Sequence, residues 1–285
     1  MDQTDMTRIL PEECIANIIS KTSPRDACRL SLVSRAFRTA AASNLVWERL
    51  LPYDYQEIIS RSSVSSAASS SSLNMLPGKD LYFHLCDNPT FIGNGNMTFA
   101  IHKWSGKKCY MLAARELSIA WGDTPQYWKW TSSADQSPDL PKFRFSEVAH
   151  LLRVCWLEIK GSFETKTLSP NTTYGAYFIY TIGTRPFGLC HPVKVSLSIV
   201  NEIEGEATNA YLQPITSRDH RPRGQNGRLP CVREDMWMEI EIGEFFNHGK
   251  DNNVLEMHLW ETEVGEWKSG LVVHGIELRP KERKN

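Results

Sequence analysis

Residues 60–72 are serine and alanine apart from Arg61 and Val64, and no other feature constrains the fold as much. A run with so little apolar surface cannot offset the entropy of ordering it, so it reads as a linker. The 285 residues allow one large domain or two smaller ones at roughly 100 to 200 residues each. The linker favours two, and the hydrophobic period changes across it, from helical before to mainly strand-like after.

Before the linker, Pro11 with Glu12 and Glu13 marks a helix start, and Cys14, Ile15, Ile18 and Ile19 form one stripe. Ser23, Pro24 and Asp26 then supply an N-cap serine, a proline at the first helical position and an acid three residues after the cap. Ala27, Leu30 and Val33 carry the apolar face onward, and Phe37, Ala40 and Ala41 define a third helix. Asn44 is placed to cap a fourth helix bearing Val46, Trp47, Leu50 and Leu51. Fewer than about 60 residues make a marginal core without disulfides or metals. This apolar surface therefore needs cover, either from another protein or from the rest of the chain.

After the linker, residues 79–86 read as a short helix inside a connecting segment. From Tyr110 onward, period-two alternation dominates. Leu157 and Ile159 alternate with Trp156, Glu158 and Lys160, Ile240 and Ile242 with Glu239 and Glu241, and Val272, His274, Ile276 and Leu278 close the series. Many such strands separated by Gly, Pro and Asn turns call for two antiparallel sheets packed face to face, a sandwich of the jelly-roll sort. Residues 143–152 offer a short helix as an alternative, because Phe145, Val148, Ala149 and Leu152 have helical spacing. Glu239 and Glu241 are expected on a solvated strand face, and Trp156 and Trp237 in the core.

Chemistry-bearing motifs are scarce. There is no glycine-rich phosphate loop, no HExxH and no GxSxG, and the eight histidines lack metal-ligand spacing. No catalytic residue, metal or cofactor is expected; a glycoside hydrolase is the weaker alternative, since its carboxylate pair is defined by a separation that sequence does not supply. The seven cysteines lack CxxC spacing and read as reduced core residues. A net charge of -1 gives no sign of nucleic-acid binding, and the arginine-rich run at 217–235 has no interleaved aromatics, so it reads as a solvated loop. With no apolar run long enough to cross a bilayer and no leader-like start, the expectation is a protein inside the cell and no membrane partner. The sequons at Asn96 and Asn171 are then silent.

The densest aromatic stretch is LSIAWGDTPQYWKW, residues 117–130. As a strand, it would put Leu117, Ile119 and Trp121 on one face, with Trp128 and Trp130 sharing a face after the turn. These rings either plug one end of the sandwich or form a platform on which the C–H face of a sugar could lie.

Two resemblances bear on these alternatives. The run ILPEECIANIISKTSPRDACRLSLVSRAFRTAAASNLVWERLLP resembles an F-box, with Leu10-Pro11-Glu12, Ser-Pro-x-Asp, Val-Ser-Arg and Trp47-x-x-Leu50. That resemblance implies docking on a Skp-type adaptor and through it on a cullin, with Leu10, Pro11, Ile15, Ile18, Leu30, Val33 and Trp47 forming the core and the adaptor-facing surface. The segments GKKCYMLAARELSIAWGDTPQYWKW, RVCWLEIKGSF, DMWMEIEIGEFF and GEWKSGLVVHGIELRPK resemble the plant phloem lectin, or Nictaba-like, family. That family implies a jelly-roll lectin binding N-acetylglucosamine-containing glycans, with Trp121 and Trp128 on its sugar-contacting positions. Trp130 and Trp267 are further candidates by position, and Tyr127 a structural support. Together the resemblances imply an α+β multidomain chain: a small helical F-box at 1–55, a connecting segment at 56–106 and an antiparallel lectin β-sandwich at 107–285. They imply a non-catalytic receptor that carries a glycan or glycoprotein to a ubiquitin ligase in the nucleus and cytoplasm.

Overall fold

The computed structural model describes residues 10–62, 73, 75–200, 205–213, 227–249 and 252–281. Most of the serine-rich linker lies outside them. The chain divides into two compact units, Met1–Cys109 and Tyr110–Asn285.

The first unit holds α1 (Glu12–Ile19), α2 (Pro24–Leu30), α3 (Arg35–Ala42), α4 (Asn44–Leu50), α5 (Tyr55–Ser60), α6 (Gly78–Asp87) and a hairpin of β1 (Thr90–Ile92) and β2 (Met97–Ile101). The cap on α2 forms as expected, with Ser23 Oγ accepting from the Asp26 N–H at 3.1 Å. Ser34 does the same for α3 through Phe37 N at 3.3 Å. Asn44 does not cap α4. Its Oδ1 accepts instead from the Gly78 N–H at 3.1 Å, tying α4 to the start of α6. This cross-link fits a short helical unit that cannot close its own core. Trp47, fully buried, donates its indole N–H to Ala41 O at 2.7 Å and packs against Tyr82 and Phe83 of α6, with ring centroids 5.2 Å away in both cases. Part of the cover that the helices need therefore comes from α6, in the segment read as a connector.

The second unit is a sandwich of antiparallel sheets, as expected. One runs β3 (Lys108–Ala113), β14 (Ser269–Pro280), β8 (Thr172–Phe187), β12 (Met238–Asn247) and β11 (Cys231–Val232), with the hairpin of β5 (Trp128–Ser132) and β6 (Glu147–Leu151) joined through β6 to β14. The other runs β10 (Thr208–Ala210), β9 (Val193–Ile199), β13 (Val254–Glu261), β7 (Leu157–Glu164) and β4 (Ser118–Ile119). The sheets meet closely at glycines. A Cβ on Gly161 of β7 would stand 3.0 Å from Ile276 Cδ1 of β14, and one on Gly243 of β12 would stand 2.6 Å from Leu197 Cβ of β9.

The structure departs from simple alternation or from the sequence reading at three places in this unit. Residues 147–151 form a strand, not a helix; Val148, Ala149 and Leu151 are all buried because β6 is covered on both faces, and two-sided burial mimics helical spacing. In β14 the expected dry face of Val272, His274, Ile276 and Leu278 is buried, but Leu271 and Val273 on the other face are buried too, and the ladder shifts register between Val273 and Gly275. Glu239 is not on a solvated face. It accepts from Arg279 at 2.6 Å and from Arg233 at 2.8 Å, while Glu277 accepts from Arg233 at 2.6 Å. Arg233, with Arg228 donating to Glu241 O at 2.8 Å, thus ties the described part of the 217–235 run to the sheet, and residues 217–226 fall outside the described chain. Cys14, Cys190 and Cys231 are exposed and the other cysteines half-buried, so they are not the core residues expected from the sequence.

Candidate functional site

The aromatic stretch divides into scaffold and display. Strand β4 ends at Ile119, so Trp121 lies in a turn with a left-handed backbone, φ 56°. Such a conformation is uncommon for a bulky residue and costs about 1–3 kcal/mol. Two indoles downstream hold it. Trp128 donates its N–H to Ala120 O at 3.1 Å, and Trp130 donates its N–H to Gly122 O at 2.9 Å, so the carbonyls on either side of Trp121 are both stapled to β5. Trp128 is 3 % exposed. With its N–H engaged and its ring largely buried, Trp128 packs beneath the turn and meets the surface only at the edge of a shallow cavity beside it. Trp130 is half-buried beneath the Arg115 guanidinium, 3.6 Å from its ring centroid. Arg115 is fixed in turn by Glu147 at 2.7 Å. Both tryptophans therefore position Trp121.

Trp121 itself is 48 % exposed, and its companions are Tyr127 at 5.9 Å and, edge-on, Trp156 at 6.4 Å. Trp156 is 47 % exposed and not in the core as expected, in keeping with its place on the strand face of Glu158 and Lys160. It sits just outside β7, where the missing signal was position rather than residue type. Trp267 is 49 % exposed, with the Arg153 guanidinium 5.6 Å from its ring. Its loop joins the same end of the sandwich through paired bonds between Val154 and Lys268, at 3.0 and 2.7 Å. Trp237, as expected, is wholly buried and stacks on His274 at 4.1 Å.

Beneath this end lies a buried ion pair. Lys268 and Glu261, with side chains 2 % and 4 % exposed, contact each other directly. Lys268 Nζ also donates to Cys155 O at 2.7 Å and Glu266 O at 2.9 Å, and Glu261 Oε1 accepts from Glu263 N at 3.0 Å and Val264 N at 2.8 Å. Burial alone would raise the Glu261 carboxyl, but Lys268 and the two backbone N–H groups pull it below the ordinary range, so the pair is charged. It clamps the loop carrying Trp267 to the segment carrying Trp156. No sequence spacing joins residues 155, 261 and 268, so the clamp could not be read in advance.

In the helical unit the F-box residues separate by burial. Ile15 and Trp47 are core, Leu30 is half-buried, and Leu10, Pro11, Ile18 and Val33 are exposed. Leu32, not anticipated, is exposed beside Val33, at 77 % against 64 %. Among the described residues no group of three His, Cys, Asp or Glu is placed to hold a metal ion.

Comparison with known proteins agrees with this two-part organisation. The profile of Phloem protein 2 matches residues 107–280, and an F-box-like profile matches residues 7–52. The chain belongs to the phloem protein 2 family. The F-box protein At2g02240 of Arabidopsis thaliana is 42% identical over 95% of this chain and 79% of its own length. The putative F-box protein PP2-B12 of the same plant is 41% identical over 96% of this chain and 97% of its own length. Among solved structures, a Podospora anserina GH26-CBM35 β-(1,4)-mannanase superposes on 62% of this chain and 28% of its own at a TM-score of 0.35 and 8% identity, which carries no inference. An F-box-like region ahead of a phloem protein 2 domain is the organisation of an F-box substrate-recognition protein, and an F-box implies a Skp-type adaptor as partner.

Proposed function

We propose that this phloem protein 2 family member is the substrate-recognition subunit of a Skp–cullin ubiquitin ligase and selects targets carrying N-acetylglucosamine-type glycans. The observation that carries the glycan half is the display of Trp121: two buried or half-buried indoles hold its backbone in a costly conformation, beside the half-exposed Trp156. Indole faces take the C–H patches of a pyranose, while its hydroxyls need polar groups at the rim. Asp123 and Lys129 adjoin a shallow cavity of about 280 Å³ beside the same turn. Leu10, Pro11, Ile18, Leu32 and Val33 form the adaptor-facing surface, since exposed aliphatic side chains on a small helical unit suit burial against another helical protein. The chain contributes positioning in the nucleus and cytoplasm, and ubiquitin transfer belongs to other subunits.

A glycan array on the full chain tests the sugar reading. N-acetylglucosamine-bearing glycans should be retained, and Trp121→Ala should remove that retention with unchanged thermal unfolding. Retention of no glycan, with capture of an unglycosylated protein by the full chain in a separate pull-down, would replace the glycan target with a protein surface, and release of free sugar would favour a hydrolase.

A further inference from the structure

The outward face of the five-stranded sheet carries a second candidate surface, and the strand register lays it out as a grid. On central β13, Trp260 lies between Glu158 of β7 and Lys194 of β9, His258 between Lys160 and Ser196, and Glu256 between Ser162 and Ser198. Ser118 of β4 extends the middle row beyond Lys160. The row Ser118, Lys160, His258, Ser196 crosses four strands, about 14 Å at ~4.8 Å per strand. This face is recessed into a groove of about 650 Å³, within the ordinary range for a ligand site.

Its lining is unusual for a solvated sheet. The Ser162, Ser196 and Ser198 hydroxyls have no hydrogen-bond partner among the described residues. The Trp260 and His258 rings stack at 4.2 Å with planes 23° apart, making a flat wall on one strand. Glu158 is held by Lys160 at 2.8 Å, which keeps its carboxyl below the ordinary range. Burial and then Lys160 lower the His258 pKa, so the ring is neutral at neutral pH.

These features discriminate among ligands. An extended peptide cannot add here as a strand, because the floor strands already pair with each other across the sheet. A peptide also finds no aliphatic pocket for its side chains. Anions are opposed by Glu116 and Glu256 in the lining, with the Lys160 charge already paired to Glu158. What remains is a neutral ligand rich in hydroxyls and long enough to cross several strands. We infer that this groove binds a neutral oligosaccharide chain, through the three serine hydroxyls and Glu256 on its floor and the Trp260–His258 wall, as a site separate from Trp121 and Trp267. The inference rests on the carbohydrate-recognition reading above. The two surfaces adjoin, because Trp156 donates its indole N–H to Glu158 Oε2 at 3.1 Å.

Calorimetric titration of the full chain with a linear tetramer of N-acetylglucosamine tests it, using three altered proteins. Ser162→Tyr with Ser198→Tyr fills the groove from outward-facing strand positions that tolerate tyrosine. Ser196→Ala with Glu256→Gln removes polar groups without adding bulk, and decides the matter should the tyrosine pair unfold. Trp121→Ala with Trp267→Ala removes the end platform. The groove is supported by at least tenfold weaker binding in the tyrosine pair and about fivefold in the alanine–glutamine pair, at unchanged thermal unfolding midpoints. Unaltered affinity in both groove variants overturns it, whatever the tryptophan variant does. Loss in the groove variants with none in the tryptophan variant keeps the groove and removes the end platform. A chain that binds no tetramer at all overturns the groove as a carbohydrate site.

Discussion

The helical unit and the sandwich each leave hydrophobic side chains in water, but of different kinds. Around the first three helices these are aliphatic, Leu32 and Val33 above all; at one end of the sandwich they are indoles, Trp121, Trp156 and Trp267. Aliphatic surface gains only by being dried, which suits a protein partner with a matching apolar face. An indole also presents a flat π-face and an N–H, which suits a ligand with C–H and O–H groups alternating around a ring. The supports differ accordingly. The exposed aliphatics sit on or next to capped helices that need no further bracing, whereas the indoles sit in loops held by Trp128, Trp130 and the buried Lys268–Glu261 pair.

The comparison is broken most severely by attacking those supports. Trp128→Ala should cost about 3–5 kcal/mol of stability in denaturant unfolding, as for a large buried ring, whereas Trp121→Ala should cost none and weaken only sugar binding. Equal stability losses would show that Trp121 is structural as well. Lys268→Met leaves the Glu261 charge buried without its partner and should cost about 3–5 kcal/mol. Replacing both partners with apolar residues should restore most of it, and a single variant as stable as the natural chain would remove the clamp from the account.

Acid supplies a graded test confined to the sandwich. His274 is buried between Trp237 and Phe145, accepts from the Arg144 N–H at 3.1 Å, and has its pKa lowered to about 3, first by burial, then by Arg144 and Arg233 against the opposing Glu277. Because the folded pKa lies below the ordinary 6.5, the unfolded chain binds the extra proton between those values. Stability should therefore fall as the pH drops from 6.5 toward 3, by up to about 1.4 kcal/mol per unit. His274→Gln should flatten that slope in urea titrations at successive pH values, and an unchanged slope would place the acid sensitivity elsewhere. Val33→Asp is also expected to spare the fold. It should leave unfolding within about 0.5 kcal/mol while weakening capture by a recombinant Skp-type adaptor about tenfold or more; full capture would detach Val33 from the adaptor-facing surface.

Where the sequence was legible, one local signal coincided with one structural outcome. Ser23-Pro24-Arg25-Asp26 starts a helix because its cap is built from neighbours. The strands of β7 and β13 alternate because each has one face in the core and one in water. Legibility fails where two faces are buried, as in β6, or where partners lie far apart in sequence, as with Arg233, Glu239 and Glu277. In the aromatic stretch the residue types pointed to a site, but spacing did not separate the displayed Trp121 from the buried Trp128 seven positions on.

The sequence by itself determined the division into helical and strand-rich parts, the sandwich class and the family, because hydrophobic period, capping and composition are local properties. Only the tertiary structure decided that α6 completes the helical core, which indole faces solvent, and that Lys268 and Glu261 hold the loops around it. Burial and charge pairing depend on what the fold brings within a few ångströms, and separation along the chain carries no record of that distance.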